Sequence, residues 1–432
     1  MILTRTLAFA GVMLLSVPAV LGMEGAPATG TAPTSDPPAA ASQALLERDT
    51  LTGNWWGIRD TIADKGLTLN LGLTQTFQQP AAGGLDTRSG RYTGSYDLEI
   101  SLDLAKVAHL EGARLYTHVE GSWGQGLDFN SISSLLNVNG DAAGNHSIYV
   151  KQLYYEQALF DRYLMFRLGK IDLTGGFNCR GCPVSFDGNS YANSEKSQFL
   201  NGALINNPTI PFPDKGLAAV IHWRVIDWWY LSAAGGDARA NAYHAGFTTT
   251  FSDDAEFFSS YETGITPEIP SPNGPLVGAY RAGLWYNPQP QDLLDGSGTK
   301  TDDYGIYLSL DQLILKENNK PDDKQGLGLF ARYGLADGDV HTIKTFWSVG
   351  GQYLGLIPSR DQDVLALGFA QEIISPHAGL TANSESAFEL YYNAQITPWL
   401  TVSPDLQYII HPGGNESESN AVVVGLRIQM TF

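Results

Sequence analysis

Arginines and acidic residues recur at every second position of extended segments in this 432-residue chain, a placement that gathers them on one face. Arg114, Arg167, Arg224, Arg281, Arg332 and Arg427 share the polar phase of their segments with Glu99, Glu120, Glu262, Glu389 and Asp405. A guanidinium fork donates to neighbouring hydroxyls while a facing carboxylate accepts from them, so such a face can hold a polar solute through paired donors and acceptors. The same arrangement also suits charges that only pair across strands in a wet interior. Tyr307 and Phe330 fall in the charged phase, whereas Trp223, Trp229 and Trp347 fall in the other, as girdle residues would.

Other chemistry is thinly represented. Cys179 and Cys182 are the only two cysteines, in C-x-x-C spacing. In an exported chain they are expected to close a small disulfide loop. Zinc would need two further ligands, and no second C-x-x-C or H-x-x-H accompanies them. Thioredoxin-like chemistry lacks its βαβ setting. An outer-membrane hydrolase would need a nucleophile beside a histidine at the rim, but His118, His222 and His411 fall in the charged phase and no G-x-S-x-G elbow is present. Asn415-Glu416-Ser417 matches a three-residue glycosylation pattern of little weight. No cofactor motif is read. The balance of 26 Lys plus Arg against 45 Asp plus Glu, a net charge of −19, repels duplex nucleic acid.

The elements that must position these groups are strands. Leu67, Leu69, Leu71 and Leu73 alternate with Thr68, Asn70 and Gly72, and Leu98, Ile100, Leu102 and Leu104 alternate with Asp97, Glu99, Ser101 and Asp103. Leu115, Thr117, Val119 and Trp123 oppose Arg114, Tyr116, His118 and Glu120, and Val422 to Phe432 repeats the split. The apolar phase of these segments carries no Asp, Glu, Lys or Arg, as a face toward lipid demands. A soluble sandwich alternates too. The choice of an all-β transmembrane antiparallel barrel rests on strand lengths near ten, aromatic strand ends and the leader. Leu7–Leu21 after Arg5 is expected to be the core of a signal peptide over 1–22, too short for a membrane span.

Residues 23–45 are expected to be a Pro- and Ala-rich flexible leader, and 46–66 a periplasmic amphipathic helix. That helix lies over Asn54–Lys65, with Trp55, Ile58 and Ile62 on one face. The barrel then occupies 67–432. Fifteen segments are plain, but the short links Phe160–Arg162 and Ile226–Trp228, counted forward, disagree by one with Ile396–Trp399 and Gly355–Asp361, counted backward. A strand near Glu256–Ile265 restores an even total, so sixteen strands are expected. The longest interruption, 172–215, falls outside the membrane and must be disordered or fold onto something, the lumen being nearest.

An ordered series of segments resembles the OprB-type carbohydrate-selective porins: LTGNWWGIRDTIADKG at 51–66, SYETGI at 260–265, GAYRAGLWYN at 278–287, IYLSLDQLIL at 306–315, GLGLFARYG at 326–334, GGQYLGLIPSRDQD at 350–363 and PDLQYIIHPGG at 404–414. The resemblance implies a sixteen-stranded outer-membrane channel through which monosaccharides, polyols and similar small solutes diffuse passively. The alternative is a general porin without sugar selectivity. Within the resembling segments, Arg281, Trp285, Glu262 and Arg332 are the first residues expected to line the pore, followed by Arg114 and Glu120. The Cys179–Cys182 insertion in the long loop departs from the family pattern. Lipid is the expected surround, and because lipid-facing and subunit-facing apolar residues look alike, a homo-oligomer stays open.

Overall fold

A computed structural model of the chain describes residues 44–432 apart from 178–185, 244–246, 248 and 321–322. The expected signal peptide, nearly all of the leader, and both cysteines lie outside the described residues. Sixteen long strands make one antiparallel sheet. They are β1 (Leu67–Ala82), β2 (Arg91–Asp103), β3 (Ala113–Gly124), β4 (His146–Leu159), β5 (Leu164–Ile171), β6 (Gly216–Ile226), β7 (Trp229–Asp237) and β8 (Phe257–Ile265). The second half comprises β9 (Leu276–Asn287), β10 (Asp303–Lys316), β11 (Gly326–Leu335), β12 (Ile343–Leu354), β13 (Val364–Ile374), β14 (Ser384–Thr397), β15 (Leu400–Ile410) and β16 (Ala421–Thr431).

Each strand pairs with its sequence neighbours, and β1 pairs with both β2 and β16, so the sheet closes on itself. A closed sheet has no edge, the condition for strands to cross lipid. The strand required by parity is β8, at Phe257–Ile265. Most strands run longer than ten residues.

Register aligns the leucines across strands: Leu67 lies opposite Leu102, Leu69 opposite Ile100, and Leu71 opposite Leu98. Their phase is outward. Leu308 and Leu367 on that face are 51% and 56% exposed, while Arg281, Arg332, Arg427, Glu262 and Glu389 of the other phase are buried inside. Greasy side chains outside and ionic ones inside is the reverse of a soluble core and is the pattern of outer-membrane barrels.

Short links at one rim (Phe160–Arg162, Asp227–Trp228) and long loops at the other set the two sides, periplasmic and external respectively. The helix at the short-link rim is only α1 (Ile58–Asp64), shorter than the expected Asn54–Lys65. Trp55, Trp56 and Gly57 have φ of 49°, 57° and 91°, left-handed values that stop a helix from starting earlier. Trp399 Nε1 donates to Leu45 O at 2.9 Å and Leu51 N–H to Thr431 O at 2.8 Å, which ties this segment to the barrel wall.

Two external loops turn inward. Loop 172–215 contains a short helix, α2 (Gly202–Ile205), whose Asn201 side chain accepts from Ala203 N–H. Phe199, Leu204 and Ile205 pack on Phe330, Phe346 and Tyr391 of the wall. The earlier part of the loop packs Leu173, Phe177 and Phe186 with Met165, Phe258, Trp285 and Tyr307. Loop 125–145 inserts Leu127, Ile132 and Val138 against Ile409 and Val423. Both loops meet: Gly140 N–H donates to Leu200 O and Gly202 N–H to Asn137 O, each at 2.7 Å.

Candidate functional site

The inward charges divide into two groups according to what the loops leave open. On β9 to β11 the loop is tied down. Arg332 Nε lies 3.1 Å from Asp187 Oδ2, its Nη1 donates to Leu204 O at 2.8 Å, and its Nη2 to Ala192 O. Arg281 donates to Asp311 at 2.7 Å, and the other oxygen of Asp311 accepts from Ser190 of the loop at 2.8 Å. On β14 and β16, Glu389 accepts from Leu200 and Asn201 N–H at 2.6 and 2.8 Å, and Arg427 donates to the Glu195 and Gln198 carbonyls at 2.7 and 2.8 Å. Each anchor satisfies loop backbone that would otherwise sit unpaired in the interior.

Glu262 shows how local sequence builds a buried post within the wall itself, where Tyr307 packs against the loop. Tyr230 and Tyr307 donate to its two oxygens at 2.7 and 2.9 Å. Each phenol reaches it by lying across a glycine of the neighbouring strand. A Cβ on Gly264 would stand 2.4 Å from the Tyr230 ring, and one on Gly283 2.1 Å from that of Tyr307. Trp285 is wholly buried between Phe258 and His341. Arg281, Glu262, Trp285 and Arg332, together with the rings of Tyr307 and Phe330, therefore lie beneath the loop or within the packed interior.

Arg114 and Glu120 stand on the other side, along β2 to β5. The Arg114 side chain is 28% exposed and donates to Glu156 at 3.0 Å, and Arg167 donates to the same carboxylate at 2.7 Å. Tyr116 lies under the Arg114 guanidinium at 5.5 Å. Next to them the inward-phase Thr68 and Asn70 are exposed and Glu99 and Ser101 half-buried. Toward the external side, Glu120 accepts from Tyr149 and Lys151, both at 2.7 Å, and His118 meets Asp97 at 2.7 Å. Lys196, from the far end of the loop, reaches across to ion-pair with Asp97 and lies 3.7 Å from Glu120. Asp97, His118 and Glu120 offer atoms within 4.8 Å of one another, the spacing of metal ligands, but the Lys196 ammonium already lies against both carboxylates.

Of the six residues expected to line the pore, the structure thus brings four under the loop or into the packed interior and leaves Arg114 on the open wall, while Glu120 is buried beneath Tyr149, Lys151 and Lys196. Sequence reasoning missed Lys196, Lys151 and Tyr149. Register shifts between His118 and Val119 and between Glu120 and Ser122 move Lys151 and Tyr149 off a simple alternation, and nothing in a loop sequence marks Lys196.

Residues 87–432 match the family described as carbohydrate-selective porin, OprB family. The chain belongs to the OprB family. It is 24% identical to Porin B of Pseudomonas aeruginosa, over 88% of this chain and 91% of that protein, and 20% identical to the putative porin QuiX of Acinetobacter baylyi, over 89% and 94%. The fold is similar to the high-pH structure of Pseudomonas putida OprB, with a TM-score of 0.75 at 23% identity, over 90% of this chain and all of that one. Like other OprB-family members it is a sugar-selective porin of the bacterial outer membrane, and its relatives and fold are those of channels.

Proposed function

We propose that monosaccharides and related small polyols cross this porin along the β2–β4 wall, between that wall and the tip of loop 172–215. Lys196 facing Asp97 and Glu120 forms the narrow zone, with Arg114, Glu99 and Tyr116 below it. The observation that carries the reading is where solvent still reaches polar groups of the inner face, even though Glu120, Glu156 and Arg167 on the same wall are buried. Loop and core cover the inward charges of β8 to β16, while Thr68, Asn70, Glu99 and Arg114 keep contact with solvent.

A wall of this kind suits a sugar in two ways. Arg114 and Lys196 donate to hydroxyls and Glu99 and Glu120 accept from them, replacing hydration as the solute strips its water. The Tyr116 ring offers a face to the C–H side of a pyranose. Because Arg114 and Glu120 are already paired, a sugar must compete for them, which keeps binding weak enough for release.

In this reading Arg281, Arg332 and Glu262 act indirectly by holding the loop in place. The export signal at 1–22, the leader at 23–45 and a disulfide between Cys179 and Cys182 belong to the same proposal, as does outer-membrane lipid as the surround. Planar-bilayer recording with graded glucose tests the path. Glu120→Gln and Arg114→Ala should each weaken glucose block by roughly five- to tenfold, the loss of one charge-assisted hydrogen bond partly offset by water. Unchanged block in both variants overturns the route.

A further inference from the structure

At the external end of the open wall three aromatic rings meet. His146, the first residue of β4, stacks on Tyr243 of loop 238–256 with ring centres 3.8 Å apart and planes 14° apart. Tyr149 meets Tyr243 edge-on at 4.9 Å. Tyr243 is 45% exposed, yet its backbone is held. The preceding residue, Ala242, donates its N–H to Asp214 at 2.8 Å and accepts from Lys170 Nζ at 2.6 Å. Tyr243 N–H itself donates to the Asn241 side chain at 3.0 Å. His146 is fixed by its register opposite Ser122, and its neighbour Asn145 accepts from Gly124 N–H at 3.0 Å. Tyr149 is fixed by its 2.7 Å bond to Glu120, which also holds Lys151.

An exposed ring that is already immobile gives up little conformational freedom when a ligand covers it, so it binds at low entropic cost. Here one such ring, Tyr243, packs on the half-buried His146 and Tyr149, and Tyr149 bonds the largely buried Glu120 that also holds Lys151. Apolar C–H groups on one side and hydroxyls on the other are the features of a pyranose, and rings beside a Glu–Lys pair complement both.

We propose that Tyr243, His146 and Tyr149 form a capture site for carbohydrate at the external mouth, with Glu120 and Lys151 as its polar floor. The site delivers sugar to the Lys196 narrowing. The inference rests on the sugar path argued above and adds to it a first stop that acts on one side only. Captured solute has a single short step to take, because Glu120 belongs to the floor of the site and to the narrow zone alike.

The test is the association rate of glucose block in planar bilayers with oriented channels, glucose being added to one side at a time. Tyr243→Ala should slow block from the external side by roughly five- to tenfold and leave block from the periplasmic side within about twofold, since a ring contact is worth on the order of 1 kcal/mol. Tyr243→Phe keeps the ring face and should keep the external rate. Equal slowing from both sides, an unchanged external rate in Tyr243→Ala, or a Phe variant as slow as the Ala variant would overturn the capture site while leaving the porin intact. A wild-type channel blind to glucose from either side would instead overturn the transport path itself.

Discussion

Arginine does two different jobs inside this barrel, and the difference shows in what each guanidinium touches. Arg332 spends its donors on the loop, at Asp187, Ala192 and Leu204, and has no exposed surface left for a solute. Arg114 spends one on Glu156 and keeps more than a quarter of its side chain open. Arg332→Ala takes from buried Asp187 its ion-pair partner, and removing one partner of a buried pair costs about 3–5 kcal/mol. That variant should melt lower, conduct salt better as the loop loosens, and lose sugar block altogether. Arg114→Ala should keep the wild-type melting temperature and conductance and lose only part of the block. Paired melting curves and single-channel records decide; identical behaviour of the two variants contradicts the division of roles. The six strand arginines named above share one phase in the sequence, so the phase was legible there. Which of them the loop would cover was not, because alternation carries no information on depth or on where a distant segment lands.

The elements that give the lumen its form are the two inturned loops and the glycines beneath them. Gly283→Ala would drive a methyl group into the Tyr307 ring, so the phenol should leave Glu262 and the surrounding packing should loosen. Packing one extra carbon there should cost about 1–3 kcal/mol, checked by thermal unfolding in detergent, whereas Gly379→Ala in an external loop meets no atom within 4 Å. Gly379 has φ of 69°, so its own substitution carries only a backbone cost.

Loop 125–145 adds a pH response. Burial pushes the Asp128 carboxyl up to about 6 and that of Asp141 up to about 7. The folded loop therefore holds protons that the unfolded chain, with Asp near 3.9, has released. Its stability is greatest below about pH 4, falls as pH rises toward 7, and is flat above. Amide exchange across 125–145, corrected for intrinsic rate, should be faster at pH 8 than at pH 5. Slower exchange at pH 8 would contradict the burial of these groups. From sequence, the length of 172–215 pointed inward because an ordered segment of that size needs a surface. Loop 125–145 gave no such sign: its inward apolar residues, Leu127, Ile132 and Val138, have no period to betray them.

For the molecule as a whole, alternation settled the strands and parity supplied the one that pattern alone left faint, Phe257–Ile265, where small and polar residues blur the two faces. The same physics makes the outer face testable. Leu308→Arg places a charge on the lipid belt and should destabilise the barrel by about 2–4 kcal/mol if it sits near mid-membrane. A charge added at Ser101, on the wet inner face, should cost far less; folding into lipid vesicles at graded urea measures both. The same gradient of environment, dry outside and ionic within, is what turns a closed sheet into a conduit. The most direct measurement of the central claim is the current through single channels as glucose is raised in fixed salt. A sugar path lined by Lys196, Asp97, Glu120 and Arg114 predicts a current that falls and saturates, with the half-effect moving to higher glucose in Arg114→Ala. A current that merely tracks solution viscosity, identically in both proteins, would contradict it.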